Sequence, residues 1–160
     1  MVDIVFDGLV TGSGVNLGDT TLSDYEEGTW TPAFTFATVG DLVLVYTSQV
    51  GTFTRTGNRV DVTVSIAVTP TYSTSSGAAR ITGFPTASAA DANGTFATDA
   101  SGAAMDWSTG GTSLAVGILA SQTYAQLYNS GADTAGSVLT TSNIDSATAL
   151  VIRFSGSYQV

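Results

Sequence analysis

Alternation with a period of two is the dominant hydrophobic pattern of this chain, and it is clearest over residues 59–68. There Val60, Val62, Val64, Ile66 and Val68 share one side while Asp61, Thr63 and Ser65 take the other. Successive side chains of a strand point to opposite faces, so the run predicts a strand buried on one face and wet on the other. Gly57-Asn58 separates it from residues 49–56, a two-residue hairpin turn whose leading glycine predicts type II′. In that register Phe53 lies opposite Val62 and Arg55 opposite Val60.

The same reading extends along the chain. Residues 33–37 put Phe34 and Phe36 on one face, and residues 42–46 are rich in β-branched side chains. Pro70 is expected to end the strand begun at Arg59, and residues 72–77 form a polar loop. Residues 78–82 make a short strand stopped by Gly83-Phe84-Pro85. Residues 87–104 leave two readings open, a weak strand or a long surface loop. Residues 112–120 alternate through Leu114, Val116 and Ile118; residues 122–128 alternate through Tyr124, Gln126 and Tyr128, with Asn129-Ser130-Gly131 as a turn. A short strand is expected at 138–139. The last run sets Leu150, Ile152, Phe154, Tyr158 and Val160 against Arg153, Ser155 and Gln159.

No apolar i, i+3, i+4, i+7 stripe persists, so no helix is predicted. Roughly eight to ten short strands with regular turn signals imply an all-β protein, an antiparallel β-sandwich of jelly-roll-like kind. Ahead of it, Val2, Ile4 and Phe6 alternate as one short strand. Thr11-Gly12-Ser13-Gly14 is a flexible joint, and residues 16–23 continue irregularly. A lone strand needs a partner to be stable. The expected organisation is therefore an N-terminal attachment and oligomerisation segment, 1–23, followed by a β-sandwich domain, 24–160.

Composition narrows the chemistry. Cysteine and histidine are both absent, which removes disulfides, thiolate metal sites, the commonest general base and the triads built on it. Thirteen carboxylates face four cations, all arginine (Arg55, Arg59, Arg80, Arg153), for a formal charge of −9. That sign repels phosphate backbones and anionic membranes, so neither nucleic acid nor membrane is an expected partner. The N-terminus lacks a basic region and is interrupted by Asp3 and Asp7, unlike a signal peptide, and no apolar run is long enough to span a bilayer. Synthesis and folding in a cytoplasm are expected.

An ordered set of short motifs follows the lead-in: Asp24-Tyr25-Glu26-Glu27-Gly28-Thr29-Trp30-Thr31-Pro32, Tyr46, Gln49-Val50-Gly51, Phe53-Thr54-Arg55-Thr56-Gly57-Asn58-Arg59-Val60 and Ile81-Thr82-Gly83-Phe84-Pro85. In order and spacing the set resembles a domain of bacteriophage and prophage structural proteins, common in the C-terminal parts of tail-fibre and tail-spike proteins. The resemblance covers residues 22–86; Phe84 stands where that family usually has leucine. It implies an exposed virion component, made in the host cytoplasm and commonly a homotrimer, that contacts other phage virion proteins of tail or capsid. A trimeric fibre or tail-tip head binding a host surface glycan is the first role it suggests; a capsid decoration or head-fibre protein docking through its N-terminal segment is the alternative.

Particular residues then carry expectations. Val2, Ile4, Phe6, Tyr25 and Trp30 are the candidate attachment and oligomerisation residues, with 24–32 as the hinge between attachment strand and displayed domain. Glu26 and Glu27 are adjacent in an extended stretch and so face opposite ways. That suits ion pairing with Arg55 or Arg59 better than paired acid–base work on one substrate. Asp91-Ala92-Asn93-Gly94 has the oxygens of a calcium loop but no bidentate glutamate at the required distance, so an Asx turn is the simpler reading. Asp106, Trp107, Tyr124, Gln126, Tyr128 and Asn129 form the candidate glycan-binding set, aromatics for the apolar face of a sugar ring and amides or carboxylates for its hydroxyls. Chance clustering in a tyrosine-rich β protein accounts for them equally. No cofactor, metal site or catalytic residue is expected.

Overall fold

The structure, a computed structural model, describes residues 15–16, 21–22, 25–90, 94–101, 113–131 and 134–160. Among them there is no helix, and every strand pairing is antiparallel. Strands β1 (Val15–Asn16) and β2 (Thr21–Leu22) pair only with each other, a small ladder within the stretch expected to be irregular. The strand expected at Val2, Ile4 and Phe6 lies outside the described residues.

The remaining strands are β3 (Tyr25–Trp30), β4 (Ala33–Thr38), β5 (Val43–Thr56), β6 (Arg59–Thr71), β7 (Ser76–Thr82), β8 (Gly94–Ser101), β9 (Ser113–Ile118), β10 (Tyr124–Gly131), β11 (Thr134–Val138) and β12 (Leu150–Gln159). They form two antiparallel sheets. The first runs β3-β5-β6-β12-β8, the second β8-β9-β10-β7-β4, with β11 also on β10. Strand β8 belongs to both, because Gly94, Thr95 and Phe96 pair with β9 while residues 97–101 pair with β12. Inward residues of both sheets, among them Phe34, Ile66, Ile81, Val116, Leu127 and Ile152, make one continuous hydrophobic core.

The β5–β6 hairpin has the predicted register, Phe53 with Val62 and Arg55 with Val60, and of its two turn residues only Gly57 has positive φ (60°), the type II′ pattern. The two segments expected on either side of Thr47 are in fact one strand of 14 residues. A bulge between Tyr46 and Ser48 makes this workable. Leu44 and Tyr46 face the core before it, Gln49, Gly51 and Phe53 after it, so the inward face changes parity at Thr47. Continuous alternation would have sent one of the two sets to solvent.

Four further expectations are corrected. Pro70 does not end its strand: β6 continues to Thr71, with Pro70 opposite Leu44. A residue's N–H and C=O leave a strand on the same side, and the Pro70 carbonyl accepts from Ala147 N at 2.7 Å, ahead of the start of β12. The missing donor therefore falls where no ladder partner waits. Asn129 to Gly131 are not a turn but the end of β10, held by Ser137 and Thr134 of β11 across a second bulge. The stretch from Tyr25 is not a hinge: it is edge strand β3, paired residue for residue with β5 from Tyr25–Thr56 to Trp30–Gly51. Strand β7 also starts two residues earlier than expected, at Ser76.

Candidate functional site

The motif set converges on one aromatic residue. Trp30 ends β3 half-buried, its ring 4.8 Å from that of Phe84, and its Nε1 donates to the Thr52 carbonyl at 3.3 Å. A Cβ on Gly51 would lie 2.6 Å from Trp30 Nε1, so the indole sits on bare backbone. Gly83, with φ 90°, approaches the Thr31 carbonyl, where a Cβ would meet the oxygen at 2.6 Å. Gln49 Nε2 donates to the Pro32 carbonyl at 2.9 Å, and Phe34 N donates to the Tyr46 hydroxyl at 2.9 Å. Gly28 faces Phe53 in the same way that Gly51 faces Trp30. These residue types at this spacing thus fasten edge strand β3 and the start of β4 to the body of the domain.

The acids beside it do not form a pair. Glu27 accepts from the Tyr25 hydroxyl at 2.8 Å, which raises the Tyr25 pKa by hydrogen bond and charge, while Glu26 lies on the other face opposite Arg55. Arg55 Nε donates instead to the Gly57 carbonyl, and the ion pair of this hairpin is Arg59 with Asp61 at 2.7 Å. Glu26 and Glu27 therefore pair with neither arginine by salt bridge. Among the described residues no three carboxylates gather as a metal site; Asp91, Ala92 and Asn93 lie outside those residues.

The second sheet presents a more distinctive surface. On β10 the core takes Ala125, Leu127 and Asn129, which turns Tyr124, Gln126 and Tyr128 outward. Ladder register sets Gln126 beside Arg80 of β7, and Arg80 beside Thr35 of β4; Tyr124 lies beside Thr82. The Arg80 guanidinium stands 4.2 Å from the centre of the Tyr124 ring, and the Tyr128 hydroxyl donates to Gln126 Oε1 at 2.9 Å. Burial, then the neighbouring Tyr124, pushes the Tyr128 pKa up, so its hydroxyl stays a donor at neutral pH. Flanking outward positions are small: Ala33, Thr35 and Ala37 on β4, Ala115 and Gly117 on β9. Two tyrosines and an arginine thus stand above a low floor, giving a ring-shaped ligand apolar faces to lie against and donors beside them.

Of the candidate glycan-binding residues, the fold brings Tyr124, Gln126 and Tyr128 together and turns Asn129 to the opposite, buried face. Asp106 and Trp107 lie outside the described residues. Tyr25 is exposed on an edge strand and Trp30 is held in the cluster above. Arg80 was not among the expected residues. Alternation of buried Ala79 and Ile81 around it signals an outward arginine, but only the β7–β10 pairing reveals its tyrosine.

A shallow depression of about 320 Å³ lies on the first sheet, where Thr52, Thr54, Asp61, Thr63 and Ser155 supply the polar lining. The Thr52 and Thr63 hydroxyls bond each other at 2.6 Å and Asp61 is taken by Arg59, so its polar groups are largely satisfied internally. Comparison of the chain with family models, curated proteins and solved structures finds no match.

Proposed function

We propose that this protein is a non-enzymatic structural component of a bacteriophage virion, a homotrimer of jelly-roll-like β-sandwich domains displayed on the particle. In this reading it acts as a fibre or tail-tip head that binds host surface polysaccharide. The observation that supports the virion reading is the convergence of the motif set: Gly28, Trp30, Pro32, Tyr46, Gln49, Gly51, Phe53, Gly83 and Phe84 fall in one interlocked region. The outward group of Arg80, Tyr124, Gln126 and Tyr128 supports the binding role. Three copies on one particle multiply a weak contact into useful avidity without further chemistry.

A second reading, capsid decoration or head fibre, has its own support: Val43, Val45 and Val50 are exposed on the outward face of β5, beside a partner-ready edge strand. The two separate on saccharide binding. The full chain applied to an array of bacterial surface polysaccharides is expected to be retained, and Tyr124→Ala or Tyr128→Ala weakens retention about three- to tenfold, the worth of one lost aromatic face. Retention unchanged in both variants removes this face from the account; no retention at all favours the decoration reading.

A further inference from the structure

Arg80 is the one charged residue on strands β4, β7, β9, β10 and β11, in a chain whose formal charge is −9. A lone cation on five strands free of carboxylates needs a reason, because the rest of the protein offers plenty of acids to pair with. Its Nε is buried without a hydrogen-bond partner among the described residues, and its guanidinium is held over Tyr124 at 4.2 Å. Beside it, Gln126 spends its Oε1 on the Tyr128 hydroxyl, which leaves the Nε2 donors without a partner among the described residues. Nearest-neighbour register gives Arg80 only Thr35 and Gln126, and neither is an acid.

We propose that this patch binds a carboxylated saccharide, a uronic or nonulosonic acid, with Arg80 as the residue that reads the carboxylate. The inference rests on the saccharide-binding reading of the same face and adds the chemical class. Contact with the Tyr124 ring restricts the guanidinium beforehand, so less rotamer freedom is lost when its terminal N–H groups form a fork to a carboxylate. Gln126 Nε2 supplies a further donor at the adjacent ladder position, and the faces of Tyr124 and Tyr128 take the ring carbons. A neutral sugar makes the stacking contacts but leaves the cation unmatched. Net negative charge does not forbid the complex: at physiological salt the repulsion from acids on other faces is screened beyond about 8 Å, while a partly buried contact ion pair is screened much less.

Titration calorimetry of the full chain at physiological ionic strength tests the assignment. The probes are oligomers of galacturonate, glucuronate and N-acetylneuraminate, each with its carboxyl-reduced form, and poly-glutamate as an acid without sugar. The expected result is an acidic oligomer bound about tenfold or more tighter than its reduced form, the worth of one charge-assisted hydrogen-bonded pair. Arg80→Gln abolishes the preference and keeps the weaker neutral binding; Arg80→Lys, with the charge but not the fork, keeps part of it. Equal affinity for acidic and reduced forms overturns the carboxylate assignment and leaves the saccharide face standing. Poly-glutamate binding as tightly as the oligomers overturns the sugar class. Absence of binding by every saccharide overturns the reading of this face as a saccharide site, and the inference with it.

Discussion

Gly51 has no side chain because the indole of Trp30 occupies the place where one would stand, with Nε1 at 2.6 Å and Cε2 at 2.7 Å from an added Cβ. Gly51→Ala therefore pushes the ring off its seat and away from Phe84. The expected cost is about 1–3 kcal/mol, as for other overpacked sites, or roughly 2–4 °C of thermal midpoint per kcal/mol in a chain of this size. A red shift in tryptophan emission should accompany the lower midpoint; an unshifted spectrum and midpoint would show that the contact does not hold β3. In the loop between β4 and β5, the Asp41 carboxylate accepts from the Ser73 hydroxyl and from the backbone N–H groups of Ser73 and Thr74. Those bonds, the Ser73 hydroxyl first, hold its pKa well below the usual carboxylate range. A depressed folded pKa means stabilisation present above the unfolded value near 4 and lost as pH falls below it. Asp41→Asn should lower the midpoint at pH 7 and flatten its decline below about pH 4; a mutant profile parallel to wild type would refute the linkage. Roles of this kind are faintly legible in the sequence: the glycines stand out in the motifs, but their ring partners come from strands far along the chain.

At the level of elements, period-two alternation located most of the strands because one face of each is buried. The 59–68 run is the clearest case. The failures have physical causes. Alternation cannot register an extra residue, so β5 looked like two segments until the bulge at Thr47 joined them. Proline is read as a breaker, yet Pro70 sits where its ladder side meets a loop. Small polar residues such as Asn129 to Gly131 give no period at all and take their extended conformation from pairing with β9 and β11. Three of the four residues of the candidate site are visible as the spacing of Tyr124, Gln126 and Tyr128, whereas Arg80 arrives from a strand more than 40 residues earlier through β7–β10 pairing. The bulge itself is testable. Deleting Thr47 removes the extra residue and leaves both halves of β5 facing inward, so the midpoint should move by no more than a few degrees, within roughly 1 kcal/mol. Deleting Thr54, between Phe53 and the two-residue turn, forces either the hairpin or Phe53 out of register and should abolish cooperative unfolding. Equal tolerance of the two deletions would mean that the bulge does not set the inward face.

For the whole molecule, one core shared by two antiparallel sheets leaves two broad outward faces with different chemistry. The first sheet shows threonine, serine, exposed valines and the Arg59–Asp61 pair; the second shows tyrosine, glutamine and a single arginine above alanine and glycine. A displayed domain has use for both, one to face its neighbours and one to face the medium. Within the proposed homotrimer, the full chain should sediment at three times its chain mass and bind polymeric ligand far more tightly than a single repeat unit does. The claim on which the rest depends is that the protein is part of a particle at all. Immunogold electron microscopy of purified virions, with antibody raised to the full chain, tests it most directly. The account predicts gold on the particle surface, concentrated at the tail tip for a receptor-binding head. Gold over the capsid would select the decoration reading, and virions free of label, with all of the protein in the soluble fraction of the lysate, would contradict the account.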